Sequence, residues 1–489
     1  MNGESITTKI ARSVKWSALT EVVSRVASPL IFVILARILT PEDFGVMATA
    51  MVVISFAQMF WDAGLGKTLI QINEACEDAA HVVFWTCLGM SIVIYFILFL
   101  ASPSLAVFFD SPDSVAILRV LGLQIILAAL SSTPYALFAR KFDFHRLFWI
   151  KLITAFVPGF ISIPLALQGY GIWALVIGTI SGQVLNLALM YHFSSWYPRW
   201  RYNFTLARKM FQFGMWVFAE SFGGWLIVWG DSLIVGHVLG VHDLGIYRTG
   251  WMVVTIIFGI VLNPLLPVIY PAFSRLQDDW SKLTEVFFKT NRIIMALALP
   301  IGFGLLVTGP YIATLFFGPV WKDIGITIQI LGLTYAASWM VSLNHELYRG
   351  MGKPDVNTKL IFFFILYYLP SYYIAAQHGL TTFLCARLIV CVSTIPIHAV
   401  VCMRVLNISF FYLWTEGKKL IFISTLMSIA VVVSNWSITA SFPDMPIIIQ
   451  LMIMVSVGFF SYIGLLTTLD KVFVLQTSAL FHKAVHIEK

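Results

Sequence analysis

The chain is 489 residues long, 59% hydrophobic, 15% aromatic and only 11% charged, with a formal net charge of +7 and a mean hydropathy of +0.87. A water-soluble globule carries about 25% charged residues, so the composition excludes one and names lipid as the solvent. Five cysteines without a CxxC pair likewise exclude a disulfide framework or a thiolate metal cluster.

Along the chain, apolar stretches of roughly 20 residues, the length that crosses a bilayer as helix, recur between Gly, Pro and charge breaks. They predict transmembrane helices at 15–37, 46–65, 81–101, 115–137, 148–168, 170–190, 213–237, 246–270, 292–314, 325–347, 358–377, 380–403, 418–438 and 447–467. The fold expected is therefore all-α and polytopic. No small-residue cleavage pattern follows the first apolar run, so the first helix is expected to stay in the mature protein.

Charge placement supports the same count, because Lys and Arg accumulate in short cytoplasmic loops. With the N-terminus inside, most of the 31 basic residues fall on inner segments, among them Arg140, Arg199, Arg275, Lys353, Lys419 and Lys489. The outer turns "ALQGYG", "AAQHGL" and "SFPDMP" hold none, and Arg248 and Lys322 stand outside. Both termini are expected in the cytoplasm. The positive charge is mostly a topology signal, and no nucleic-acid partner is expected. The sequons at Asn203, Asn407 and Asn435 fall on the inner face or inside a helix and are read as chance.

"LARILTPEDFGVMATA" at 35–50 has an echo 200 positions later, "VGHVLGVHDLGIYRTG" at 235–250: Leu39, Asp43, Gly45 and Thr49 match Leu239, Asp243, Gly245 and Thr249. Six helices separate the copies, so both run the same way through the membrane. Parallel repeats of this kind build the two lobes of some transporters. Each copy reads as the outer turn joining the first two helices of a six-helix lobe, with Asp satisfying backbone N–H groups and Gly taking positive φ. The organisation expected is an N-lobe at 1–204, a C-lobe at 205–408, and a final hairpin and cytoplasmic tail at 409–489. A fainter echo links "PYALFARKFDF" (134–144) to "NHELYRGMGKPD" (344–355).

"ARSVKWSALTEVVSRVASPLIFVILARILTPEDFGVMATAM", "GDSLIVGHVLGVHDLGIYRTG", "YPAFSRLQDDWSKL" (270–283), "LFFGPVWKDI" (315–324) and "YRGMGKPD" (348–355) together resemble the polysaccharide-transport branch of the multidrug/oligosaccharidyl-lipid/polysaccharide flippase superfamily. The likeness is to Wzx-type flippases of lipopolysaccharide and exopolysaccharide biosynthesis. That resemblance implies a bacterial inner-membrane protein that moves an undecaprenyl-pyrophosphate-linked oligosaccharide between leaflets by alternating access. It implies partnership with membrane lipids and with a polysaccharide polymerase and export machinery, a monomeric chain, and no cofactor or metal. The final hairpin fits the fourteen-helix members, where it helps accommodate the polyprenyl tail.

Ionisable residues inside membrane helices cost about 2.5 to 3.5 kcal/mol each on insertion scales and usually face a cavity or a partner. Arg25, Arg119 and Arg387 are the headgroup candidates, since guanidinium binds phosphate bidentately. Arg25 has a competing reading as the ion-pair partner of Glu21, four residues before it. Arg119 and Arg387, one to two turns below the outer surface, either receive the headgroup or snorkel outward. The coupling or gating candidates are Glu21, Glu220, Asp231 and Glu346. Glu220 reads as an inter-lobe pair, a proton carrier or a plain interhelical hydrogen bond, and Asp231 as a functional acid or a lobe-closing pair. His345 and Glu346 read as gate contacts or a solvated helix end, and His398 as a satisfied packing residue or a proton relay. "RLQDDWSKLTEVFFKTN" (275–291) reads as a surface helix or the start of the ninth span.

A cation-coupled drug or metabolite antiporter is the alternative on the same architecture, but it would favour an acidic, aromatic cavity. An enzyme is not expected: outer loops reach about a dozen residues, and "GLGK" at 64–67 lacks the strand-loop-helix context of a phosphate loop.

Overall fold

Thr40 and Asp43 show how the sequence starts a helix here. The Asp43 Oδ2 accepts from the Thr40 backbone N at 3.0 Å, and the Thr40 hydroxyl accepts from the Asp43 N at 3.3 Å. This reciprocal cap ends a short connection and launches the second helix. In a computed structural model the chain is described at residues 29–475 apart from 63–64, 67–68, 70–75, 142, 278, 407–409 and 474. Side chains at 62, 76, 206, 208–220, 266–268, 270, 354 and 410–416 also lie outside the description.

The described residues form helices and one 3₁₀ turn. In order they are α1 (Pro29–Ile38), α2 (Pro41–Asp62), α3 (Cys76–Phe108), α4 (Ser114–Arg140), α5 (Phe144–Leu167), α6 (Ile172–Phe193), α7 (Phe204–Val238) and α8 (Gly240–Leu262). Then come α9 (Leu266–Arg275), α10 (Trp280–Phe316), α11 (Ile324–Trp339), α12 (Leu343–Gly350), α13 (Pro354–Ala376), α14 (Leu380–Leu406), α15 (Phe410–Ser441) and α16 (Ile447–Leu469). Among the described residues, 12 helical stretches are long and apolar enough to cross a membrane. The shorter α1 and the 35-residue α7 occupy the first and seventh expected positions. Every predicted span thus meets a helix.

Two details differ from expectation. Gly45 and Gly245 lie inside α2 and α8, and neither has positive φ; Gly240, at the start of α8, does, at 85°. The tenth span is broken: α11 ends at Trp339 and α12 resumes at Leu343. Within the 275–291 segment, residues 280–291 are the start of the ninth span, because α10 runs unbroken from Trp280, with the Asp279 carboxylate accepting from the Lys282 N at 3.1 Å.

The described chain divides into two compact units, Met1–Arg248 and Thr249–Lys489. In the first, Ile54, Leu69, Ile117, Leu118, Leu121 and Ile125 sit in one buried core shared by α2, α3 and α4. α5 and α6 pack closely: a Cβ at Gly178 would lie 2.8 Å from the Pro158 carbonyl oxygen. In the second unit, α10 and α11 meet through small residues, a Cβ at Gly302 falling 2.7 Å from the Gly332 oxygen and one at Gly309 2.8 Å from the Gly325 oxygen. Helices in lipid gain their association from such close backbone approach, since lipid is as apolar as leucine.

The final hairpin is fastened to α10 by polar links. The Ser428 hydroxyl donates to the Phe303 oxygen at 2.9 Å, Tyr462 to the Ala296 oxygen at 2.7 Å, and Asn435 to the Tyr311 hydroxyl at 2.8 Å. Arg292, 14% exposed, pairs with Asp470, 3% exposed, at 2.5 Å.

Candidate functional site

The basic candidates do not converge on one described cluster. Glu21 and Arg25 lie outside the described residues, as does the side chain of Glu220, whose position is within α7. Arg119 on α4 is half-buried and engaged with α3: its Nε donates to the Ser102 hydroxyl at 2.9 Å, and its guanidinium carbon stands 4.3 Å over the Phe99 ring. Arg387 is half-buried on α14, one turn from Cys391.

Asp231 is 5% exposed and acts as a hydrogen-bond hub. Its Oδ2 accepts from the Tyr247 hydroxyl at 2.6 Å, and its Oδ1 accepts from the Ser232 N and hydroxyl at 2.6 and 3.0 Å. Arg248 donates to that same Ser232 hydroxyl at 3.3 Å and rests 4.1 Å over Trp229. These bonds tie α7 to the first turns of α8, the hairpin that follows it in sequence. Glu346 pairs with Arg349 at 3.9 Å on α12, and the neighbouring His345 Nδ1 meets the Asn357 Oδ1.

The repeated segment makes a contact that sequence reading missed. Within the first unit, the two copies meet each other. A Cβ on Gly45 would fall 1.7 Å from the Val241 carbonyl oxygen, and one on Gly245 would fall 1.9 Å from the Pro41 carbonyl oxygen. Positions 41 and 241, and 45 and 245, are related by the 200-residue offset, so the contact is reciprocal, as it is across a two-fold axis. The same offset relates Glu42 and His242, whose Oε1 and Nδ1 lie 2.5 Å apart. Deeper along the seam, Trp225 of α7 donates to the Ser55 hydroxyl of α2 at 2.9 Å and its ring sits 4.9 Å from Phe56. The signal was in the sequence, since only glycine at both related positions allows the approach.

The second unit contains a cavity of about 530 Å³ among α10, α11, α14 and α15, lined by Phe303, Ala337, Met340, Pro396 and Ile421, with Lys418 at its margin. Among the described residues the wall is apolar apart from Lys418. That combination suits an acyl or prenyl chain whose attached group carries negative charge.

The sequence profile described as "Polysaccharide biosynthesis protein" matches residues 34–325, more than half of the chain. The chain belongs to this polysaccharide biosynthesis family. Its relatives there include the succinoglycan biosynthesis transport protein ExoT of Rhizobium meliloti, 26% identical, covering 71% of this chain and 70% of ExoT. The lipopolysaccharide biosynthesis protein WzxC of Escherichia coli is 25% identical over 76% of each chain. The teichuronic acid biosynthesis protein TuaB of Bacillus subtilis is 22% identical over 77% of this chain and 78% of its own. Among solved structures, the lipid II flippase MurJ in an inward closed conformation is similar at TM-score 0.73 and 12% identity, covering 94% of this family member and all of MurJ. An inward-facing multidrug resistance MATE transporter of the MOP superfamily is similar at TM-score 0.62 and 13% identity, covering 80% and 96%. The likeness to both shows the fold, polytopic and helical throughout the described residues, and with the apolar helices it makes the chain a multi-pass membrane protein.

Proposed function

We propose that the chain is a flippase for an undecaprenyl-pyrophosphate-linked oligosaccharide, moving it from the cytoplasmic to the outer leaflet of a bacterial inner membrane by alternating access, in service of lipopolysaccharide or exopolysaccharide synthesis. Family membership supports the pathway, and the names of ExoT, WzxC and TuaB place those relatives in polysaccharide synthesis. The observation that carries the reading to a lipid-linked substrate is the apolar cavity with Lys418 at its edge. A drug cation would instead favour an acidic, aromatic site.

In this reading both termini are cytoplasmic, the chain works as a monomer without catalytic chemistry or a cofactor, and it hands its cargo to a polymerase. Two six-helix lobes, 1–204 and 205–408, rock about the path, and the hairpin from 409 onward shields the prenyl tail. Arg25, Arg119 and Arg387 compensate pyrophosphate charge at successive stages, while Glu21, Glu220, Asp231 and Glu346 bias the conformations. The meeting of the repeat copies at Gly45 and Gly245 supports closure of the outer end by the first turns of α2 and α8.

The test is deletion and complementation. A strain lacking the chain loses polymer, and the plasmid-borne chain restores it; Lys418→Glu, which reverses the charge at the cavity margin, restores less. Undiminished polymer in the deletion strain overturns the reading.

A further inference from the structure

The second unit holds a buried polar cluster that transport as described above leaves unused. It lies where the tenth span breaks between α11 and α12, and where α13 and α14 pack alongside. His398 on α14 is 4% exposed, and its Nδ1 has no hydrogen-bond partner among the described residues. The ring of His345, on α12, stands edge-on to it at 5.6 Å, and Phe364 of α13 stands 4.9 Å away. His345 engages Asn357, itself buried, through its own Nδ1. One turn along α12, Tyr348 is fully buried and its hydroxyl too has no partner.

Of the two readings of His398, packing residue and proton relay, the unpartnered ring nitrogen favours the second. A buried ring nitrogen left without a partner is costly, and an ionisable side chain inside a membrane helix is retained for work rather than for packing. We propose that His345 and His398 together form a proton-binding site that couples one proton to the conformational cycle. The inference rests on the flippase reading for its role, and it deepens that reading by naming the coupling ligand.

The pair takes one proton and not two, because two imidazolium rings this close repel strongly in a low dielectric. The rings that stand against His398 are His345 of α12 and Phe364 of α13; Tyr348, Tyr368, Cys391 and Cys402 lie along the same three helices, Lys418 of α15 shares a cavity wall with Ala399, and the charged residues of α12, Glu346 and Arg349, pair with each other. Among the described residues, neither ring against His398 brings it a carboxylate to receive the charge. Protonation therefore favours a conformation in which α12 and α13 loosen and water reaches the rings. A proton that binds one conformation better than the other shifts their populations by that difference. The break before α12 and Pro396, two residues before His398, are the places where such loosening meets least backbone resistance.

The direct experiment is ¹⁵N spectroscopy of histidine-labelled chain in nanodiscs from about pH 5 to 8. The two ring signals, assigned by their loss in His398→Gln and His345→Gln, change together as the pair takes up one proton, and each substitution alters that joint change. In complemented cells, polymer output of the wild type varies by about 5-fold or more between external pH extremes. His398→Gln, His345→Gln and the volume-filling His398→Phe flatten that dependence while the protein remains in the membrane. Fixed tautomers across the whole range, or variants that follow the wild-type pH profile, overturn the proposal. Failure of the wild-type chain to restore polymer sinks the flippase reading instead, and the spectroscopic titration still decides the proton site.

Discussion

Replacing Gly45 by alanine perturbs a single contact whose geometry is fully specified. The new Cβ falls 1.7 Å from the Val241 carbonyl oxygen and 2.6 Å from its carbon. Carbon and oxygen come to rest at about 3.3 Å, so the two helix starts must separate by roughly 1.5 Å. The obstacle is backbone on both sides, with no flexible side chain to swing away. Overpacking of this kind costs about 1 to 3 kcal/mol. The cost falls only on the conformation in which the repeat copies touch, and that conformation loses roughly 5- to 150-fold in relative population. Within α2 itself alanine is the better helix former by about 1 kcal/mol, in every conformation, so the fold is not weakened. The assay is cross-linking of Glu42→Cys with His242→Cys by a short bifunctional thiol reagent, in a chain whose native cysteines are replaced by alanine. Added Gly45→Ala lowers the cross-linked fraction and polymer output together, while the melting temperature in detergent holds or rises. Gly245→Ala does the same, and the double variant is less than additive because both side chains block one contact. Unchanged cross-linking and full output in Gly45→Ala refute the reasoning.

Glu42 and His242 are about half exposed, and exposed pairs contribute about 1 kcal/mol at most; Glu42→Gln therefore changes cross-linking at neighbouring positions by no more than about 5-fold, far less than Gly45→Ala. At Asp231, asparagine weakens a buried charge-assisted hub, and Tyr247→Phe removes one donor; each lowers the unfolding free energy in detergent by about 1.5 to 3 kcal/mol, with the pair less than additive. Arg292→Ala strands Asp470 in a buried site and costs about 3 to 5 kcal/mol, read as lost membrane accumulation. Arg292→Ala with Asp470→Leu recovers accumulation, because the stranded charge is gone.

The helical fold was legible because lipid imposes a length on each span, and hydropathy reports that length directly. That Asp43 answers a backbone N–H was legible because its partner Thr40 is three residues away, but the sequence reads as a turn there and the structure makes it a helix cap. The role of Gly45 was not. A helical glycine and a turn glycine look alike in sequence, and only the approach of Val241 from across the repeat separates them. The 200-residue match carried that information as symmetry without saying what touched. The break before α12 was hidden for a different reason: an 18-residue window of the span reaches a mean hydropathy of 1.5, and an average over that length does not register a three-residue interruption. Candidate charges chosen for sitting in apolar runs proved least informative, because a run does not say which neighbour answers the charge. Arg119 is answered by Ser102 and Phe99, and Asp231 by Tyr247 and Ser232. The histidine cluster, by contrast, needs α12, α13 and α14 to be folded together before its unsatisfied nitrogen can be seen.

The central claim is that cargo crosses the bilayer through this chain, and leaflet assignment tests it most directly. Inverted and right-side-out vesicles from cells depleted of the chain are treated with a membrane-impermeant reagent that modifies sugar on the lipid-linked oligosaccharide. Transport by this chain predicts accumulated oligosaccharide that is modified in inverted vesicles and protected in right-side-out ones, with the pattern reversed on re-expression. Oligosaccharide that is modified in right-side-out vesicles from depleted cells contradicts the account.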